Sequence, residues 1–136
     1  MSIPRISSRA VVIRDNKLLA IYRFKGGKEY YVFPGGGIEE GETPEQAVIR
    51  ELKEETSLEV EIIRQFELQR PEHEEYYFIC EYISGIPKLS PESVEAMRQS
   101  KDNIYRLTWL DLRGLKDVLL YPIEVRDKVI TEFLEK

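Results

Sequence analysis

Residues 34–56 read PGGGIEEGETPEQAVIRELKEET, three consecutive glycines followed by a run of glutamates. Thr43-Pro44-Glu45-Gln46 is a capping box: Thr at the N-cap, Pro at the first helical position where its missing N–H does no harm, and Gln three residues on to reach back. A helix therefore begins at Thr43 or Pro44. At about 100° of rotation per residue, Val48, Ile49, Leu52 and Thr56 fall on one side, while Glu51, Glu54 and Glu55 fall within an arc of about 100° on the other. Ala47, one turn back, shares the carboxylate side and leaves room above it. The helix is expected to bury its first face and to show three carboxylates together.

Crowding like charges within a turn costs about 0.2–0.5 kcal/mol per i,i+4 pair, and Arg50, four residues before Glu54, offsets only part of it. A hard divalent cation would offset more, because Mg²⁺ takes carboxylate oxygens and keeps waters that substrate phosphates can replace. Residues without Cβ, as in Gly35-Gly36-Gly37, let backbone groups approach a metal or a phosphate closely. Taken alone, a Glu-rich amphipathic helix is usually a solvated surface and three glycines are usually a turn. The conjunction and its spacing favour chemistry.

Around this stretch the pattern is strand-like. SRAVVIR (8–14) and LLAIYR (18–23) flank Asp15-Asn16-Lys17, a turn-forming trio that predicts a hairpin. FKGGKE (24–29) reads as a basic loop, and YYVF (30–33) as a short strand leading into the glycines. LEVEIIRQFELQ (58–69) and EEYYFICEYI (74–83) suggest a second hairpin joined through residues 70–74. Residues 84–103 carry two proline breaks and read as a long loop with a helical turn around 92–98. NIYRLTWL (103–110) is a further strand. A terminal helix is expected from Ile123, Val129, Ile130, Phe133 and Leu134. With no internal repeat or linker, one mixed α/β (α+β) domain over residues 1–136 is expected.

Composition excludes several classes. A net charge of −5 argues against a general nucleic-acid surface, which Lys and Arg must supply. No segment has the apolar length of a membrane span, and the first residues lack the pattern of a secretory signal, so a cytoplasmic location is expected. Cys80 is the single cysteine, which rules out an internal disulfide or a Cys-based zinc cluster and reads as a small buried hydrophobe. His73 reads as an exposed loop residue.

Gly36, five residues to Glu42, seven more to Arg50-Glu51-Leu52-Lys53-Glu54-Glu55-Thr56-Ser57-Leu58, resembles the Nudix box, Gx5Ex7REUxEExGU, of hydrolases that act on nucleoside diphosphates linked to another moiety. Ser57 stands where that pattern has glycine; a glycine after a helix usually takes the left-handed C-cap conformation, which costs a non-glycine residue roughly 1–2 kcal/mol, so either Ser57 bears that strain or the helix exits differently. The resemblance implies a Nudix α/β/α sandwich with a mixed sheet, and a Mg²⁺-dependent pyrophosphohydrolase, with Mn²⁺ as the alternative ion. It implies Glu51 and Glu55 as metal ligands, Glu54 as a third ligand or the general base, and the Gly35 carbonyl as a further ligand. Arg50 is the orienting arginine, and Glu42 a support for the loop and helix start. Glu92, Glu95 and Asp102 are alternative bases. Arg23 is a substrate-binding candidate, with Lys25 and Lys28 as further cations and Tyr30, Tyr31, Tyr76 and Tyr77 as stacking or core residues. The expected partner is a small nucleotide, a (d)NTP or a relative of one, met by a monomer or homodimer. A non-catalytic Nudix-fold sensor of nucleotides or sugar nucleotides is the alternative.

Overall fold

The computed structural model describes residues 6–66, 75–85 and 103–134. In chain order these form β1 (Ser7–Arg14), β2 (Lys17–Lys25), β3 (Lys28–Val32), β4 (Gly35–Gly37), α1 (Pro44–Thr56), β5 (Glu59–Gln65), β6 (Glu75–Ser84), β7 (Asn103–Asp111), a 3₁₀ turn (Leu112–Asp117), β8 (Leu120–Tyr121) and α2 (Ile123–Phe133). The eight strands make one mixed sheet with the path β5-β6-β1-β2-β3-β8, to which β4 adds on β1 and β7 on β2.

Period-2 alternation divides the core in two. Ala10 and Val12 of β1, Leu19 of β2 and Phe78 and Cys80 of β6 point to one face, where they meet Val48 and Leu52 of α1. Val11, Leu18, Ala20, Tyr77 and Ile79 point to the other and meet Val125, Val129 and Ile130 of α2. One helix on each face of a mixed sheet is the expected α/β/α sandwich. Cys80 is buried, and burial pushes its thiol up to about 12.

The first hairpin forms, but over a shorter span than its sequence suggests. β1 and β2 pair only at Ile13↔Leu18 and Arg14↔Lys17, across a two-residue turn in which Asp15 and Asn16 both take positive φ. Beyond that turn the strands splay. β1 goes to β6 in parallel and to β4, whereas β2 pairs along its full length with β7. The FKGGKE segment is no open loop: Lys25 and Lys28 are strand residues opposed across Gly26-Gly27, whose φ of 58° and 80° suit a tight hairpin turn. β5 and β6 pair antiparallel as expected. Most of the predicted long loop, residues 86–102, lies outside the described residues, as does His73.

Helix α1 starts at the capping box: Thr43 Oγ1 accepts from the Gln46 N–H at 3.1 Å and the Gln46 side chain accepts from the Thr43 N–H at 2.9 Å. Ile49 departs from expectation. It is 43% exposed, because the buried arc centres on Val48 and Leu52 and takes in Ala47 and Glu55 on its other flank. Ser57 does close the helix in the left-handed conformation, φ 65° and ψ 12°, with its N–H donating to the Lys53 carbonyl at 3.1 Å. The strain that glycine would avoid is therefore retained. Ser57→Gly should raise stability by about 0.5–1 kcal/mol, the relief of strain less the added freedom of the unfolded chain. A melting temperature higher by about 2 °C checks this, and an unchanged or lower one contradicts it.

Candidate active site

The splay of β1 from β2 opens a cleft of about 400 Å³ between the two halves of the sheet. Ser7 and Arg9 of β1 and Glu75 of β6 line one wall; Ile21 and Arg23 of β2, Val32 of β3 and Tyr105 of β7 line the other. Gly35, Gly36, Gly37 and Glu55 form its rim.

That rim depends on the missing Cβ atoms. Strand β4 pairs with β1 through Ser7↔Gly37, Ser8↔Gly36 and Arg9↔Gly35. A Cβ on Gly35, whose φ is 143°, would lie 2.3 Å from the Ser8 carbonyl oxygen, and one on Gly36 would lie 2.6 Å from the Glu51 carboxyl carbon. At Gly35 only glycine fits against the β1 backbone, and at Gly36 a Cβ would push the Glu51 carboxylate aside. Ser8 Oγ also donates to the Pro44 carbonyl at 2.7 Å, which ties β1 to the helix start.

The three box glutamates occupy different environments. Glu55 is 3% exposed, and its Oε1 accepts from the Gly35 N–H at 3.1 Å. The Glu51 side chain is 19% exposed and that of Glu54 is 61% exposed. Arg50 spans them. Its Nε and Nη2 donate to the two oxygens of Glu42 at 2.7 and 3.0 Å, its Nη1 to Glu51 at 3.1 Å and Glu54 at 3.0 Å, and its Nη2 to the Gly37 carbonyl at 3.1 Å. This is more than the exposed ion pair a helix surface offers, since the planar guanidinium engages a loop, a strand and the helix at once. Glu42 also accepts from the Glu39 N–H at 3.1 Å, so it braces the loop as expected. Glu39, Glu40 and Glu45 are exposed.

Among the described residues, no three His, Cys, Asp or Glu groups converge into a ready-made ion cage. The donor set still fits a hard cation that keeps its waters. Mg²⁺ is typically held by one or two carboxylates together with substrate phosphates, and here Glu51 and Glu55 flank backbone stripped of Cβ atoms.

Arg23, the substrate candidate, does line the cleft. Its guanidinium carbon lies 3.8 Å from the centre of the Tyr105 ring, and its Nη2 donates to Asn103 Oδ1 at 3.2 Å. Its Nε is buried without a hydrogen-bond partner among the described residues. Lys25 and Lys28 sit at the hairpin tip, away from the cleft lining. Tyr77 belongs to the core on the α2 face and Tyr76 packs against the core on the α1 face; Tyr31 stacks edge-on to Tyr22, and Tyr30 to Tyr121. Glu92, Glu95 and Asp102 lie outside the described residues. Arg9, Glu75 and Tyr105 escape sequence reading. Alternation along β1 and β6 puts the first two on strand faces, but no local motif marks a cleft made by two strands parting.

The family model of the NUDIX domain matches residues 4–131, and the chain belongs to that family. It is 46% identical over 59 residues to an ADP-ribose pyrophosphatase of Methanocaldococcus jannaschii, a match covering 40% of this chain and 33% of the relative. Over 120 residues it is 33% identical to the NAD-capped RNA hydrolase NudC of Vibrio atlanticus, covering 85% of this chain and 41% of that one. These matches thus span less than half the length of either relative. Among solved structures, the solution structure of the E. coli ORF135 protein superposes with a TM-score of 0.66 at 19% identity, over 97% of this chain and 92% of that one, a likeness of fold. Nudix hydrolases in general use divalent metal ions. Among the described residues no helix is long and apolar enough to cross a membrane.

The Arg50 fan makes an acid-stability prediction. Hydrogen bonds from Arg50 and from the Glu39 N–H hold the Glu42 carboxyl below its usual value of 4.5, and Arg50 is correspondingly raised. A depressed folded value means the contribution is complete above about pH 4.5 and is lost as pH falls through the folded value. Glu42→Gln should therefore lower the melting temperature at pH 7 and flatten its fall between pH 5 and pH 3. Parallel pH profiles for the two proteins would contradict this.

Proposed function

We propose that this chain is a Mg²⁺-dependent pyrophosphohydrolase that cleaves the diphosphate of a nucleoside diphosphate linked to a second moiety. One observation carries the reading: Glu55, buried and held on the Gly35 N–H, stands beside Glu51 where a Cβ on Gly36 would collide. Keeping a carboxylate in the interior is expensive unless it is paired or coordinated, and glycine is a poor strand residue. Both features have a purpose if the rim receives a cation and a phosphate.

In this reading Glu51, Glu55 and the Gly35 carbonyl hold the ion. A divalent cation there supplies Lewis acidity toward phosphoryl oxygens and makes water more acidic. Arg50 orients Glu51 and Glu54 through Nη1, and Glu54, more exposed, takes the proton from the attacking water. Water adds to one phosphorus, the bridging P–O bond breaks, and two phosphate products leave with one proton released. Arg9 and Arg23 bring positive charge to a cleft in an acidic protein. The relatives named for ADP-ribose and for NAD-capped RNA support a diphosphate between two larger groups.

Assays of (d)NTPs, ADP-ribose, dinucleoside polyphosphates and sugar nucleotides with Mg²⁺ test this. At least one should turn over, and Glu54→Gln or Glu55→Gln should lower kcat by about 10²–10⁴-fold with the fold intact. Tight binding with no turnover of any compound would favour a sensor instead.

A further inference from the structure

Glu75 sits oddly in a cleft that welcomes phosphate. It lies across β1 from the glycine strand, in the row Glu75↔Ser7↔Gly37, two strand spacings or about 10 Å from the Gly37 backbone. Its Oε2 accepts from the Tyr77 hydroxyl at 2.8 Å and stands 4.0 Å from Arg9 Nε, while Arg9 Nη1 donates to the Phe33 carbonyl at 2.8 Å. One Arg9 N–H is thus engaged by backbone, while its Nε stays within ion-pair distance of Glu75. Tyr77 is fully buried and fixes the carboxylate from below.

A fixed carboxylate accepts hydrogen bonds from hydroxyls and repels phosphate oxyanions, which have no proton to give at neutral pH. The same chemistry lets an acidic side chain bind a ribose hydroxyl in dinucleotide sites. We propose that Glu75 is a specificity-determining residue that selects a sugar, and disfavours a further phosphate, as the group beyond the scissile diphosphate. The inference rests on the diphosphate being bound at the glycine rim. It departs from the (d)NTP expected from the sequence.

ADP-ribose and ATP are the matched probes, since they share adenosine diphosphate and differ in the group attached to its outer phosphate. The wild-type protein should prefer ADP-ribose. Glu75→Gln should raise its KM for ADP-ribose about tenfold, lower that for ATP, and leave kcat within about threefold, since a hydrogen bond to a charged group is replaced by a weaker one. Tyr77→Phe, which frees the carboxylate, should move the same ratio in the same direction by less. An unchanged ADP-ribose to ATP ratio, or an equal fall in kcat for both, overturns the role of Glu75. Calorimetry on the uncleaved ligands without metal reads the same ratio as dissociation constants. Absence of any turnover would therefore count against the hydrolase reading and still leave Glu75 tested.

Discussion

The site depends on how closely one backbone approaches one helix. β4 runs between β1 and α1 with so little clearance that a methyl group on Gly35 would strike the Ser8 carbonyl and one on Gly36 the Glu51 carboxyl. The Gly35 clash is with backbone, which packing at native density cannot absorb, whereas the Gly36 clash is with the end of the Glu51 side chain, so Gly35 sets how close β4 lies to β1 and Gly36 leaves the Glu51 carboxylate its place. Arg50 holds that spacing from the other side, because its Gly37 and Glu42 contacts fix loop and strand while Nη1 steadies two carboxylates. The arrangement concentrates negative charge around one guanidinium.

The second constraint lies in the sheet. A two-residue turn joins β1 to β2, yet only two residue pairs form before the strands part. Each finds other partners, β1 taking β6 and β4, and β2 taking β7 and β3. The space between becomes the cleft, whose walls differ because they belong to different halves. Arg9 and Glu75 come from one half; the stacked Arg23 and Tyr105 come from the other.

Much of this is legible in the residues. The capping box locates the start of α1, alternation locates β1, β2, β6 and β7, and the spacing from Gly36 to Leu58 points to the family. Ile49 is misplaced because a helical wheel gives angles without saying where the buried arc is centred. Here Glu55 takes a place in that arc, against the usual preference of charge for water, because the Gly35 N–H meets it. β4 is hidden because glycine is depleted in strands. Arg9 and Glu75 are 66 positions apart and meet only through the parallel pairing of β1 with β6, which no local pattern encodes.

The most direct measurement is Mn²⁺ binding by Gly36→Ala, read by calorimetry beside the wild-type protein. If the glycine rim exists to present Glu51 and Glu55 to a cation, the wild-type protein binds Mn²⁺ and is stabilised by it, while the added methyl displaces Glu51 and weakens binding at least tenfold in a folded protein. A folded Gly36→Ala protein that binds Mn²⁺ as tightly as the wild type would contradict the account.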